Sequence, residues 1–106
     1  MPDFIPVMRT ADLSPGQVRC VEVCGREIAI YNLAGQFYAT DDRCTHAEAS
    51  LSEGQIQGDE IVCPLHFATF DIRTGACTGP PATDDVRTYP VRVTPSGEIE
   101  VAVGMT

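Results

Sequence analysis

Residues 44–66 decide how this chain folds and what it can bind. They begin with Cys44-Thr45-His46 and end, after sixteen intervening residues, with Cys63-Pro64-Leu65-His66. Each of these two segments supplies one thiol and one imidazole, and the chain contains no other histidine. A site with two sulfur and two nitrogen ligands suits zinc or an iron–sulfur centre. The sequence therefore predicts a metal centre held by Cys44, His46, Cys63 and His66.

The order of the ligands helps to choose between the two metals. A common structural zinc site takes both cysteines from one knuckle and both histidines from a following helix. Here each segment supplies one cysteine and one histidine, so two facing loops can place both sulfurs on one metal and both nitrogens on another. This is the pattern of a [2Fe–2S] centre in which two histidines replace two cysteines on one iron. A structural zinc module with a single tetrahedral ion remains the alternative.

Around these ligands the chain resembles the Rieske ferredoxins, and most closely the small soluble ferredoxin components of bacterial aromatic-ring-hydroxylating dioxygenase systems. The resemblance covers nearly the whole length and includes Ala39-Thr40-Asp41, Leu51-Ser52-Glu53-Gly54, Phe70-Asp71, Thr74-Gly75 and Thr88-Tyr89-Pro90-Val91. It implies the all-β Rieske fold, an antiparallel β-sandwich with a small inserted cluster-binding subdomain. We expect a single domain over residues 1–106, with the subdomain at about 41–70 and the base formed by 1–40 and 71–106.

The same resemblance implies one Rieske-type [2Fe–2S] cluster, with Cys44 and Cys63 on one iron and His46 and His66 on the other. It implies a one-electron carrier without catalytic residues of its own, and therefore not an enzyme. Its partners would be a flavin-dependent NAD(P)H ferredoxin reductase, which supplies electrons, and a terminal oxygenase, which receives them. The alternative carrier is a Rieske-type small subunit of another reductase system, of the nitrite-reducing kind.

Positions beside the ligands predict the reduction potential. Rieske proteins of respiratory complexes carry a serine and a tyrosine whose hydroxyls bond to the cluster sulfurs, where this chain has Ala68 and Phe70. They also join their two ligand loops by a disulfide, where this chain has Ala49 and Leu65. Such hydrogen bonds stabilise the reduced form, so we expect the low end of the range of roughly −150 to +300 mV. In the ferredoxins that the chain resembles, the position of Ala68 is usually glycine. The second ligand loop must therefore adjust if the backbone at this position needs a positive φ.

Several function classes are excluded by what the sequence lacks. With both histidines used as ligands, no site of two histidines and one carboxylate for an oxygenase iron can form. No G-x-G-x-x-G segment for a dinucleotide is present. A net charge of −8, with fifteen acids, seven arginines and no lysine, argues against nucleic acid. No apolar run approaches the roughly 18 residues of a membrane span, and no signal peptide is recognisable, so we expect a cytoplasmic location.

Short β-rich runs separated by turn residues predict the strands. A first strand with Pro6 is expected at a sheet edge, and hairpin turns are expected at Cys24-Gly25-Arg26, Ala34-Gly35 and Gly58-Asp59. Gly79-Pro80-Pro81-Ala82 is expected to form a third loop that shields the cluster. The predicted strands are Phe4–Met8, Val18–Val23, Glu27–Leu33, Gln36–Thr40, Gln55–Gln57, Glu60–Val62, Phe70–Ile72, Ala76–Cys77, Val86–Thr94 and Ile99–Val103.

The remaining polar and apolar residues near the ligands suggest a docking surface. Leu65 and Phe67 would supply an apolar contact, with Pro80-Pro81 as a rim. Three further cysteines, Cys20, Cys24 and Cys77, are expected to be reduced and to serve as small apolar residues. The acids expected to steer a basic partner protein are Asp41, Asp42, Glu48, Glu53, Asp84 and Asp85.

Overall fold

The computed structural model describes residues 4–45, 48–65, 67–80 and 84–103. Within these ranges the chain forms eleven strands and two short 3-10 helices, at Thr10–Asp12 and Leu51–Glu53, so the prediction of an all-β chain is confirmed. The strands are β1 (Phe4–Arg9), β2 (Val18–Val23), β3 (Arg26–Leu33), β4 (Gln36–Asp41), β5 (Gln55–Gln57), β6 (Glu60–Val62), β7 (Thr69–Asp71), β8 (Cys77–Gly79), β9 (Thr88–Tyr89), β10 (Val91–Val93) and β11 (Glu98–Ala102).

The described strands form three antiparallel sheets. Their orders are β1-β11-β10, β2-β3-β4-β9 and β5-β6-β7-β8. Pro6 lies in β1, an edge strand, as its missing N–H predicts. The register of β1 against β11 shifts between Pro6 and Met8, so a bulge follows the proline directly.

Two tight turns fix the register of the central strands. Cys24-Gly25 joins β2 to β3, and its two φ angles are 52° and 79°. Ala34-Gly35 joins β3 to β4 with φ angles of 53° and 92°. Two positive φ angles define the type I′ turn, whose twist matches that of the flanking strands. These two predicted hairpins are confirmed, as is the third at Gly58-Asp59 between β5 and β6. The first two fix the side-chain alternation along β3.

Strand β3 contributes to two separate cores on opposite faces of its sheet. Ile28 and Ile30 pack in one core with Ile99 and Val101 of β11, which forms the predicted sandwich. The alternate residues of β3 face the other way and pack with the β5-β6-β7-β8 sheet; this second core contains Ala29, Tyr31, Leu33, Cys44, Leu51, Ile61, Cys63, Ala68, Phe70, Ile72 and Val86. The β5-β6-β7-β8 sheet, which supports the site, therefore packs directly on β3.

The inserted sheet extends further along the chain than the sequence suggests. The predicted subdomain ends near residue 70, whereas the sheet continues through β8 to Gly79. Among the described residues, none belongs to a helix long and apolar enough to cross a membrane.

Candidate metal centre

Cys44 and Cys63 lie side by side in the protein interior. Cys44 follows β4 and Cys63 follows β6, and their exposed fractions are 2% and 0%. Burial, together with a hydrogen bond to the Cys44 thiol, raises the pKa of the Cys63 thiol to about 11. Two sulfurs in contact, shielded from water, have the arrangement that two thiolates on one metal require. Metal binding would remove both protons, because the thiolate is the ligand.

The two loops that carry these cysteines are built alike. The Cys44 amide donates to the carbonyl of Ala49 at 2.9 Å, and the Cys63 amide donates to the carbonyl of Ala68 at 2.7 Å. A β-bridge between Arg43 and Ser50 flanks the first loop, and the pairing of Val62 with Thr69 flanks the second. Each loop therefore spans six residues, 44–49 and 63–68, and is closed by the same bond from its first amide to its last carbonyl.

The two predicted histidine ligands belong to these loops by sequence. His46 is the third residue of the first loop and His66 is the fourth of the second. Both lie outside the described residues. Pro81 and Ala82 of the expected third loop also lie outside them, so its shielding of the cluster stays a prediction. Among the described residues, no group of three or more potential metal ligands comes together. Of the four predicted ligands, the two that the structure describes, Cys44 and Cys63, do come together.

Asp42 is a buried residue that supports the first loop through hydrogen bonds, and it is not a docking residue. It is 2% exposed, and its carboxylate accepts a hydrogen bond from the Ser52 amide at 2.8 Å. Its carbonyl accepts from the Leu51 amide at 2.6 Å, and its own amide donates to the Glu27 carbonyl at 3.0 Å. The expectation that Asp42 steers a partner is therefore wrong.

The other predicted docking acids divide into two groups. The carboxylate of Asp41 accepts a hydrogen bond from the Tyr89 hydroxyl at 2.5 Å in a half-buried position, so it too belongs to the fold. Glu48, Glu53 and Asp84 are exposed, as expected. Asp85 is also exposed, but its carboxylate accepts from the amide of Cys77 at 2.9 Å.

The second loop presents two apolar side chains to solvent. Leu65 is 42% exposed and Phe67 is 72% exposed, which confirms the predicted apolar patch beside His66 in the sequence. Phe67 has a φ of 62°, a value that is a genuine outlier for a bulky side chain. Ala68 is not among the residues with positive φ, so the left-handed conformation falls one residue before the position expected from the sequence.

The interior beside the two cysteines lacks the hydroxyls of the respiratory proteins. Ala68 and Phe70 are both fully buried in the core that contains Cys44 and Cys63. A tyrosine in the same core, Tyr31, has its hydroxyl paired with that of Thr40 at 2.8 Å. At the two positions where the respiratory proteins carry hydroxyls that raise the electron affinity of the cluster, this chain therefore has apolar side chains.

The remaining cysteines form no disulfide, as the sequence predicts. Cys77 is half-buried and packs against the core around the site. Cys20 and Cys24 are exposed, so the expectation that they serve as apolar packing residues is wrong. Partial burial of its sulfur, together with the nearby carboxylates of Asp42 and Glu27, raises the pKa of the Cys20 thiol to about 11.

Two contacts that the sequence analysis missed hold the loops in place. The Thr45 hydroxyl donates to the carbonyl of Asp84 at 2.8 Å, which ties the first loop to the segment before β9. Gly54 packs on the backbone of β6, where any Cβ would overlap the carbonyl oxygen of Val62. The Leu-Ser-Glu-Gly segment is the sequence signal for the second contact, whereas nothing in the sequence indicates the first, which joins residues 39 positions apart.

Comparison with known proteins gives a family match over most of the chain. The family model described as the Rieske [2Fe-2S] domain matches residues 3–90. The ferredoxin component of the naphthalene 1,2-dioxygenase/salicylate 5-hydroxylase systems of a Ralstonia species is 48% identical over 82 residues. That alignment covers 77% of this chain and 79% of the relative.

Two solved structures share the fold of this chain over nearly its whole length. A chain in the complex of reduced oxygenase and oxidized ferredoxin of carbazole 1,9a-dioxygenase is 41% identical and superimposes with a TM-score of 0.88, over 93% of this chain and 92% of that chain. The putative NADH-dependent nitrite reductase small subunit of Mycobacterium tuberculosis is 26% identical, with a TM-score of 0.90 over 100% of this chain and 99% of that chain.

We predict that Asp42 and Glu48, two acids of the same loop region, behave differently when each is replaced by alanine. Asp42→Ala leaves the amide of Ser52 without its acceptor, which costs about 2 kcal/mol of unfolding free energy. Glu48→Ala removes an exposed ion pair of 3.5 Å with Arg43 and costs less than about 0.5 kcal/mol. Urea unfolding measures both, and amide exchange at Ser52 locates the first effect. Equal effects of the two changes would show that Asp42 does not hold the loop.

Proposed function

The chain belongs to the Rieske [2Fe–2S] domain family, and from that premise we propose that it carries single electrons from a flavoprotein NAD(P)H reductase to a terminal aromatic-ring-hydroxylating oxygenase. Its cofactor is one Rieske-type [2Fe–2S] cluster. When bound, this cluster takes up and releases one electron. The observation that supports the proposal is the pair of matching loops, which join two buried thiols beneath exposed apolar side chains. A carrier of this kind works in the cytoplasm, with neither membrane nor nucleic acid as a partner.

We assign Cys44 and Cys63 to one iron and His46 and His66 to the other. The contact between the two thiols supports the first half of this assignment, and the position of one histidine in each closed loop supports the second. The family favours this arrangement over a single structural zinc ion. The domain boundaries expected from the sequence remain our proposal, with one Rieske domain over residues 1–106 and the cluster-binding part beginning near residue 41.

The purified protein should contain two irons and two acid-labile sulfides per chain and, once reduced, give a Rieske-type EPR signal. Cys44→Ser or His66→Ala should abolish that signal, because each removes a ligand. A variant with serine at Cys20, Cys24 and Cys77 is the control, and it should retain both the iron and the signal. A single zinc without sulfide, or loss of the signal in the control, would contradict the ligand assignment.

We expect a reduction potential near the lower bound, roughly −150 mV, because Ala68 and Phe70 offer no hydroxyl to the cluster sulfurs. The double change Ala68→Ser with Phe70→Tyr should raise it, since hydrogen bonds to the sulfurs stabilise the reduced form. Tyr31→Phe is the matched control, because it removes a hydroxyl from the same core that is already paired with Thr40. Redox titration followed by EPR measures all three proteins. An unmodified protein at the high end of the range would overturn this explanation.

A second candidate is the small subunit of a nitrite-reducing system, since such a protein superimposes over the whole chain. Sequence identity favours the oxygenase systems, with 48% and 41% for their components against 26%. The two candidates differ in the protein that accepts the electron. Reconstitution with each type of partner distinguishes them, because only the true acceptor turns over at a rate that depends on the concentration of this chain.

Docking requires a surface that binds and releases within one turnover, so a small interface is expected. Leu65 and Phe67 supply the exposed apolar centre. Glu48, Glu53 and Asp84 are the exposed acids of the loops and their surroundings, and they can steer a basic partner at a distance of about 10 Å in 0.1 M salt. We propose that the reductase and the oxygenase use this same tip in turn.

Removing the three loop charges should slow electron transfer to both partners and weaken its dependence on salt, while the potential stays nearly unchanged. A control variant loses three charges on the side of the β1-β11-β10 sheet and should transfer electrons at the normal rate. Stopped-flow kinetics over a range of ionic strengths measures both variants. Normal transfer in the loop variant together with slow transfer in the control would place docking elsewhere. The loop variant is Glu48→Gln, Glu53→Gln and Asp84→Asn, and the control is Asp12→Asn, Glu98→Gln and Glu100→Gln.

A further inference from the structure

Three consecutive residues before β9 are each anchored to a different part of the site. The carbonyl of Asp84 accepts the hydroxyl of Thr45, which follows the ligand Cys44. The carboxylate of Asp85 accepts the amide of Cys77 in β8 at 2.9 Å. The amide of Val86 donates to the carbonyl of Gly75 at 2.8 Å. Residues 84–86, here called the anchored segment, therefore connect the first ligand loop, β8 and the turn before β8.

The last residue of the anchored segment lies in the core that contains the two site cysteines. Val86 is 3% exposed and belongs to the core that contains Cys44 and Cys63. Gly75 is in close contact with it, because a Cβ at that glycine would overlap the carbonyl oxygen of Val86. A displacement of the segment would therefore disturb the packing of the core that contains both thiols.

Within the anchored segment, Asp85 makes its contact through its side chain, whereas Asp84 and Val86 make theirs through backbone groups. β8 lies at the edge of its sheet, and an edge strand has amides without a partner in a neighbouring strand. The carboxylate of Asp85 accepts a hydrogen bond from an amide of this strand, that of Cys77. Hydrogen bonds from an amide to an ionised carboxylate are about twice as strong as those between neutral groups, so this contact ties the anchored segment to β8.

We infer that Asp85 is a positioning residue of the metal centre, whose contact with the Cys77 amide fixes the anchored segment as one wall of the cluster site. The inference rests on the proposed function, because it concerns the same cluster. It assigns Asp85 a role different from the steering of partners, although its carboxylate is exposed and lies beside the docking acid Asp84.

The test compares the two neighbouring aspartates after each has lost one charge. Asp85→Ala loses the acceptor, whereas Asp85→Asn keeps an acceptor oxygen in the same position. Asp85→Glu keeps the charge but moves the carboxylate outward by one methylene. Asp84→Ala and Asp84→Asn are matched controls, since only the backbone of Asp84 makes the contact with Thr45. The readouts are the rate at which an iron chelator bleaches the purified protein and the EPR spectrum of its reduced form.

We expect Asp85→Ala to bleach about fivefold faster than the unmodified protein, the change expected when an opening equilibrium loses one net hydrogen bond, and to show an altered EPR spectrum. Asp85→Glu should also bleach faster, and Asp85→Asn should stay within about twofold of the unmodified protein. Both Asp84 variants should match the unmodified protein in bleaching rate and EPR spectrum. Equal bleaching of Asp85→Ala and Asp84→Ala, or an Asn variant as fast as the Ala variant, would overturn the inference. Unmodified protein without iron and sulfide would instead overturn the proposed function.

Discussion

Two hydrogen bonds of the same kind determine the shape of the site. They run from the amides of Cys44 and Cys63 to the carbonyls of Ala49 and Ala68, and each closes a loop of six residues. Each bond contributes only about 1 kcal/mol in net terms, but an unpaired buried amide would cost more. Because both loops are closed in the same way, their first residues come to the same depth, and the two sulfurs meet.

The central strand joins the site to the rest of the fold. One face of β3 packs on the β1-β11-β10 sheet, and the other packs on the β5-β6-β7-β8 sheet, which supports the ligand loops. A one-residue slip of β3 would exchange the two faces, so the two I′ turns that fix its register also fix the site. The site therefore depends on residues such as Gly25 and Gly35, which allow the positive φ angles of those turns.

The sequence predicted the features that depend on local chemistry and missed those that depend on position. The edge position of Pro6 and the two tight turns follow from residue types and short spacings, and the four ligand residues stay a prediction made in the same way. Asp41 and Asp42 show the limit, because nothing in an acid's immediate neighbours indicates whether its carboxylate faces solvent or accepts a hydrogen bond within the fold, from the Tyr89 hydroxyl or the Ser52 amide. The contact of Thr45 with Asp84 shows the same limit, since it joins residues 39 positions apart.

Phe67 combines an unfavourable backbone conformation with a largely exposed aromatic side chain. A positive φ costs a residue with a side chain about 1–2 kcal/mol, and an aromatic ring that is 72% exposed gains little from burial. Cys24 and Ala34 also have positive φ, but both occupy I′ turns that require it. Glycine at position 67 would relieve the strain without exposing any core, so packing within the chain does not explain the phenylalanine. A contact with a partner, as proposed above for Leu65 and Phe67, would explain it.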